Sequence, residues 1–325
     1  MKSFRDRLKH NVLELSWSLW AELGVAGWSR RHEDVCIDPE PLFLFTARIG
    51  EFDARLLDES IDWAIRFGRF VSKVRLKNLL NRSDTRTRQR FNEYAATVNH
   101  FAHLAWPANG AQPRRKFQPS GRSHLEDFRR PALLALRTRA LFGVSARAEI
   151  VRVLVGDPRV RLTATEFAYH AHYGKRNVAD ALEALRLANV LSRLPFGNAD
   201  RYGLLEAEGL TRLLRPIPEK TPTWSSLFEL LSDLLDLAER IEELPALSRA
   251  VEAQRFAERR AVEISRLGLP QPPKIGPGLE VWALFERWAV RLTEGMAANE
   301  DGAFGREHGR AAVPVSGRTA RVRSR

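Results

Sequence analysis

Cysteine is almost missing from this chain: Cys36 is the single one in 325 residues. No disulfide can form within one molecule, and no cysteine-based zinc site can be assembled. That usage fits a reducing compartment, so a cytoplasmic location is expected. Membrane-spanning runs are also lacking. Glu14 and Glu22 interrupt the apolar stretch near the start, where Leu8, Val12, Leu15, Leu19 and Leu23 recur at helical spacing, so it reads as an amphipathic helix and not as a signal peptide. No other uncharged apolar run is long enough to cross a bilayer. There is no GxxxxGK phosphate loop, no GxGxxG after a clear strand and no GxSxG elbow, which sets aside the commonest nucleotide-binding and serine-hydrolase chemistries. Internal repeats are absent.

What is present is the composition of a folded protein, 44% hydrophobic and 28% charged. The length suits two or three domains, each with its own core. Lys and Arg number 52 against 40 Asp and Glu, a formal charge of +12, which makes a polyanion a reasonable partner because such side chains release counterions from phosphate backbones.

Proline and glycine clusters divide the chain. A helical region of unknown role covers residues 1–106, where Phe91, Tyr94, Val98 and Phe101 form one stripe. PLFLFT, residues 41–46, suits either a short buried strand or the start of a helix. Residues 107–130 read as an exposed basic connector, and 131–215 as a self-contained module. Residues 216–298 read as a C-terminal helical domain in which Leu227, Leu231, Leu234, Ala238 and Ile241 make a stripe suited to a core or a homodimer surface, the dimer being the preferred expectation. Trp282, Phe285 and Trp288 would close that bundle. The Arg-rich segment 299–325 has no apolar period and is expected to be disordered.

The module carries the most ordered signals. Pro131 suits a first helical turn and Gly143 an end; Ser145 can cap a second helix with Glu149 in its first turn. Thr163 and Glu166 have capping-box spacing, which predicts a helix of about two turns to Ala171. A turn ending in Gly174 leads into KRNVADALEALRLANVL, where Val178, Leu182 and Leu185 form a buried face and Asn189 can adopt the left-handed conformation that ends a helix. VLSRL and RYGLL then read as two strands joined through PFGNAD.

These pieces, EIVRVLVGDP, TATEFAYHAHYG, KRNVADALEALRLANVL and the hairpin through RYGLL, together resemble the winged helix-turn-helix of bacterial transcriptional regulators of the ArsR and MarR type. The expected fold class is therefore mainly α, a central winged helix-turn-helix of three helices and a two-stranded wing between helical domains. The resemblance covers under a quarter of the chain and implies a DNA-binding regulator that represses by blocking a promoter. In that arrangement the first residues of the recognition helix meet base edges and the wing meets the backbone. This assigns Lys175, Arg176 and Asn177 to the major groove of double-stranded DNA, and Arg193, Asn198 and Arg201 to the wing, with Thr165 and Tyr173 completing the expected contacts. The metal-binding cysteines of ArsR-type sensors have no counterpart here, so metal sensing is not implied, and neither a metal nor a cofactor is expected. One conflict stands: Asp180 and Glu183 share the outer face with Arg176, and they would repel phosphates unless one accepts from cytosine or Asp180 pairs with Arg176.

Other features carry alternatives. Residues 66–90 hold nine Lys or Arg against one Asp, suited either to tracking a phosphate backbone or to the solvated faces of two helices. His100 and His103 could share a helix face as metal ligands, but ordinary helix histidines are preferred because no further ligands follow. His170 and His172 read as turn or phosphate-contacting residues. Asp38, Glu40, Glu51 and Asp53 loosely resemble nuclease carboxylates and equally suit caps and turns. Cys36 has no histidine beside it in sequence. The expectation is of a non-enzyme. Two other classes remain open: an antitoxin or protein-interaction module of the type IV abortive-infection kind, which pairs a winged helix with a helical domain and silences a nucleotidyltransferase, and a nucleic-acid-processing enzyme built on the acidic residues. The first places its winged helix near the N-terminus, unlike this chain.

Overall fold

Ser3, Asp53, Ser72 and Asp84 each stand directly before a helix, and each side chain accepts from backbone N–H groups of the first turn that have no partner within the helix. They start four of the first five helices in the computed structural model, which describes residues 2–305 except 115, 126 and 274–279. These helices are α1 (Phe4–Glu22), α2 (Pro39–Ile49), α3 (Ala54–Phe67), α4 (Lys73–Leu80) and α5 (Thr85–Ala102). PLFLFT is helix, not strand. Pro39 pre-sets the first turn of α2, and every residue of that helix is buried, so no polar face marks its period.

The middle of the chain follows as α6 (Leu134–Phe142), α7 (Ala146–Gly156), β1 (Leu162–Thr163), α8 (Ala164–Ala171), α9 (Lys175–Leu187), β2 (Leu191–Phe196), β3 (Ala199–Leu204) and α10 (Ala207–Leu213). Both reciprocal bonds of the Thr163–Glu166 capping box form at the start of α8. Gly143 and Asn189 take positive φ where α6 and α9 end. Ser145 stands at the N-cap of α7 without capping it through its side chain. The strands run further into PFGNAD than the sequence indicates: Phe196 pairs with Ala199, leaving Gly197 and Asn198 as the turn. A third short strand, β1, pairs antiparallel with β3 through Leu162 with Tyr202 and gives the order β1-β3-β2.

Three long helices close the chain: α11 (Trp224–Ile241), α12 (Ala246–Leu267) and α13 (Glu280–Ala298). They correct the expected division into separate flanking domains. One hydrophobic core runs from Phe4 and Leu8 of α1 through Phe43, Trp63 and Phe91 to Leu231, Phe256 and Phe285, so the first five and last three helices form one body. Leu227, Leu231, Leu234, Ala238 and Ile241 are all buried in it. The stripe expected to pair two copies is thus internal, because a surface already covered by α1, α2 and α12 has no apolar area left to offer a second chain. A second core, with Ile150, Leu154, Phe167, Val178, Leu182 and Leu204, belongs to the middle segment.

Residues 107–130 are not a free connector. Phe117 and Ser123 are buried, the Gly121 N–H donates to Asp62 at 2.7 Å, and the His124 N–H donates to the Gly24 carbonyl at 2.9 Å, so the segment is strapped across the helical body. At the other end Phe304 is buried against Trp224 and His32, so 299–305 belong to the fold. The rest of the Arg-rich segment lies outside the described residues.

Candidate nucleic-acid interface

The second core fixes α8 and α9. Phe167 and Ala171 on α8, and Val178, Leu182 and Leu185 on α9, pack with Ile150, Val151 and Leu154 of α7. With that face taken, Lys175, Arg176 and Asn177 stand exposed on the first turn of α9, and Thr165 is exposed on α8. Lys175 and Arg176 make no ion pair with a described residue. Their charge joins the positive end of the α9 dipole, where backbone N–H groups also point outward.

The conflict on the outer face is partly relieved. Glu183 is held by Arg186 at 2.7 Å, which neutralises it. Asp180 is exposed and does not pair with Arg176. On the hairpin Arg193 pairs with Asp200 at 2.6 Å, Asn198 is exposed in the turn, and the half-buried Arg201 lies over the Phe196 ring at 4.3 Å. Leu194 and Phe196 are 52% and 59% exposed, so the hairpin presents apolar side chains as well as charge.

Tyr173 departs from its expected role. It is buried, and its hydroxyl shares a 2.8 Å hydrogen bond with Ser72 at the start of α4, so it anchors the turn and cannot reach a nucleic acid. Two neighbours act with it. Arg75 Nε donates to the Ala171 carbonyl at 2.9 Å and Asn78 Nδ2 to the His172 carbonyl at 2.9 Å. Those carbonyls end α8 and have no partner in the helix, so α4 caps the α8–α9 turn from outside. His172 takes the left-handed C-cap and is buried, which corrects its reading as a phosphate contact.

Arg75 is also the centre of a buried ionic cluster. It grips Asp38 with both terminal nitrogens, one at 2.7 Å, and contacts Glu40. Arg139 binds Glu40 with two 2.8 Å bonds and Glu149 at 2.7 Å, and Arg152 Nε donates to Glu149 at 2.9 Å. Three guanidinium groups face three carboxylates, and all six side chains are buried or nearly so. Burial alone would raise the carboxylate pKa values. The arginines outweigh it at two of the three: Arg75 holds Asp38 far below the usual range, and Arg139, Arg75 and Arg152 hold Glu149 at about 2, whereas at Glu40 burial wins and raises the pKa. The cluster joins the two cores and fixes how the α8–α9 pair is presented.

Asp38 and Glu40 are therefore consumed by arginines. Glu51 pairs with Arg86 and Arg90, the latter at 2.8 Å, and Asp53 caps α3. His103 leaves the helix at a left-handed C-cap, so it shares no helical face with His100. Cys36 is buried, and burial pushes its thiol pKa up, the reverse of what an attacking thiolate needs. The basic run divides likewise. Arg75, Arg86 and Arg90 are taken by carboxylates, whereas Lys73 and Lys77 stand exposed on α4 beside the turn it caps.

Ser72, Arg75 and Asn78 are what sequence reasoning missed. The available signal was Arg75 itself, which falls on the apolar stripe with Val71 and Leu79. A charge on a buried stripe announces a partner without naming it. Neither a protein-family model, nor a curated protein, nor a solved structure matches the chain.

Proposed function

We propose that this protein is a DNA-binding regulator of transcription whose α7–β1–α8–α9–β2–β3 segment acts as a winged helix-turn-helix. In this reading α9 enters the major groove. Arg176 and Lys175 meet guanine acceptors and Asn177 meets adenine, while Thr165 and the hairpin residues Asn198, Arg193 and Arg201 follow the backbone. Lys73 and Lys77 of α4 extend the phosphate contacts, because α4 is bonded to the three residues just before the Gly174 that opens α9. The observation that carries the reading is the first turn of α9: two cations and an amide, exposed and unclaimed by any described carboxylate, on a helix held rigidly by its other face. Blocking a promoter is the simplest consequence of such binding.

The test is a salt series of DNA-binding measurements on the protein's own upstream DNA. Lys175→Glu with Arg176→Glu is expected to abolish the specific complex. Lys73→Ala is expected to lower affinity about equally on all sequences and to reduce the salt slope by about 1. Unchanged binding in the double charge reversal would overturn the assignment of α9. The exposed Leu194 and Phe196 favour a second reading, in which the hairpin docks on a protein. Phe196→Ser leaving DNA affinity intact but releasing a partner encoded nearby would support it.

A further inference from the structure

Between the helical body and α8 lies a cavity of about 270 Å³ that the DNA-binding reading does not use. Its floor is apolar: Leu44 and Phe45 of α2, Leu79 of α4 and Phe228 of α11, with Phe45 and Phe228 stacked at 4.5 Å. Tyr169 and His172 from the α8 side close one wall together with Ser225 and Ser226 of α11, the Tyr169 hydroxyl lying 3.5 Å from the Ser226 hydroxyl. The volume lies at the small end of the range for ligand pockets, which suits a metabolite-sized molecule.

The charged lining is lopsided. Glu229, Asp233 and Glu263 converge on one guanidinium, that of Arg260, with Glu229 at 3.4 Å and Asp233 at 2.7 Å. Asp84 adds a fourth carboxylate, 4.0 Å from Arg48, which Asp236 also shares. Among the described lining residues Arg82 is the one permanent cation, and it is exposed. Glu263 bears the consequence: burial first, then its acidic neighbours, push its pKa up against the pull of Arg260. At the other end, His172 is 8% exposed, and no described residue hydrogen-bonds its ring. Its ring nitrogens still reach solvent, so a ligand can take the place of the water they meet.

We propose that this cavity is a binding site for a small organic cation, an ammonium group carried on a flat apolar body. The ring lies on the Phe45 and Phe228 floor, the ammonium faces the carboxylates of α11 and α12, and His172 hydrogen-bonds the far end. The occupant touches α8, the helix before α9, but binding itself needs no nucleic acid, so the site stands or falls apart from the function proposed above.

Tryptamine and indole-3-acetate present one ring with opposite charges. Calorimetry on the full chain is expected to show one tryptamine bound per chain, at least about tenfold tighter than indole-3-acetate. Glu229→Gln, at an exposed rim position that folding tolerates, is expected to weaken tryptamine about threefold to tenfold. Ser225→Trp, which fills the cavity, is expected to abolish binding while the helical circular dichroism stays unchanged; if it does not fold, Glu229→Gln decides alone. No heat with tryptamine, equal affinity for the two probes, or tryptamine affinity unchanged by Glu229→Gln would overturn the proposal.

Discussion

At the scale of single residues, ion pairs here fall into two kinds that the same chemistry values very differently. Arg75 is fully buried with two carboxylates in its grip and a helix carbonyl on its Nε. Arg75→Ala would leave Asp38 and Glu40 buried with less countercharge, and is expected to cost about 3–5 kcal/mol in urea unfolding. The exposed Arg193–Asp200 pair is screened by water, so Arg193→Ala is expected to cost less than about 1 kcal/mol. Equal costs would mean that the cluster is open to solvent. Well-packed apolar substitutes could stabilise the seam as well as the ions do. The six charged groups offer geometry: bidentate forks fix the angle between the body and α9 in a way that interchangeable apolar contacts do not.

At the scale of elements, helices were the most legible part of the sequence, because capping residues and a 3.6-residue period are local. The α8 capping box, the Gly143 and Asn189 ends and the buried stripe of α9 all lie where their residues indicate. What covers a stripe is not local, and there the reading of α11 went astray. Its leucines suit a partner chain and an internal core equally well. Packing against α1, α2 and α12 decided it, and contacts with α1 and α2, about 200 residues away, leave no trace in one sequence. The same blindness hid α2, whose all-round burial removes its period, and the role of Tyr173, whose partner Ser72 lies 101 residues away. The internal placement of the stripe has a measurable consequence. Leu231→Ala is expected to destabilise by about 2–5 kcal/mol, and the unfolding midpoint should not depend on protein concentration. A midpoint that rises with concentration, and loses that dependence in Leu231→Ala, would restore the stripe to a dimer interface.

At the scale of the whole molecule, two neutral histidines sit where distant parts of the chain meet. His32 is fully buried, with its ring between Ser18 of α1 at 2.7 Å and the Met296 carbonyl of α13 at 2.9 Å; His172 is buried at the turn between α8 and α9. Burial pushes both pKa values down from 6.5 to about 4, with the nearby Arg75 adding to the effect at His172. The folded chain thus refuses protons that the unfolded chain accepts. Their stabilising effect is complete above the unfolded value of 6.5, declines as pH falls and is exhausted near the folded value of 4, at about 3 kcal/mol for each histidine. The carboxylates that arginines hold down act in a lower window, since Glu149, at about 2 when folded, loses its contribution only as pH drops below its ordinary 4.5. Glu40 acts in the opposite sense, because burial raises its pKa and the folded chain takes up a proton there as pH falls. Urea midpoints taken from pH 7 to pH 4 should still fall, on a slope set by His32 and His172, at which the unfolded chain binds close to two more protons near pH 5. His32→Gln, which cannot gain a proton, should remove about half of that slope. A flat profile between pH 6.5 and 4.5 would mean that the α1–α13 joint already holds a charged imidazole, and with it a different arrangement of the two ends of the helical body.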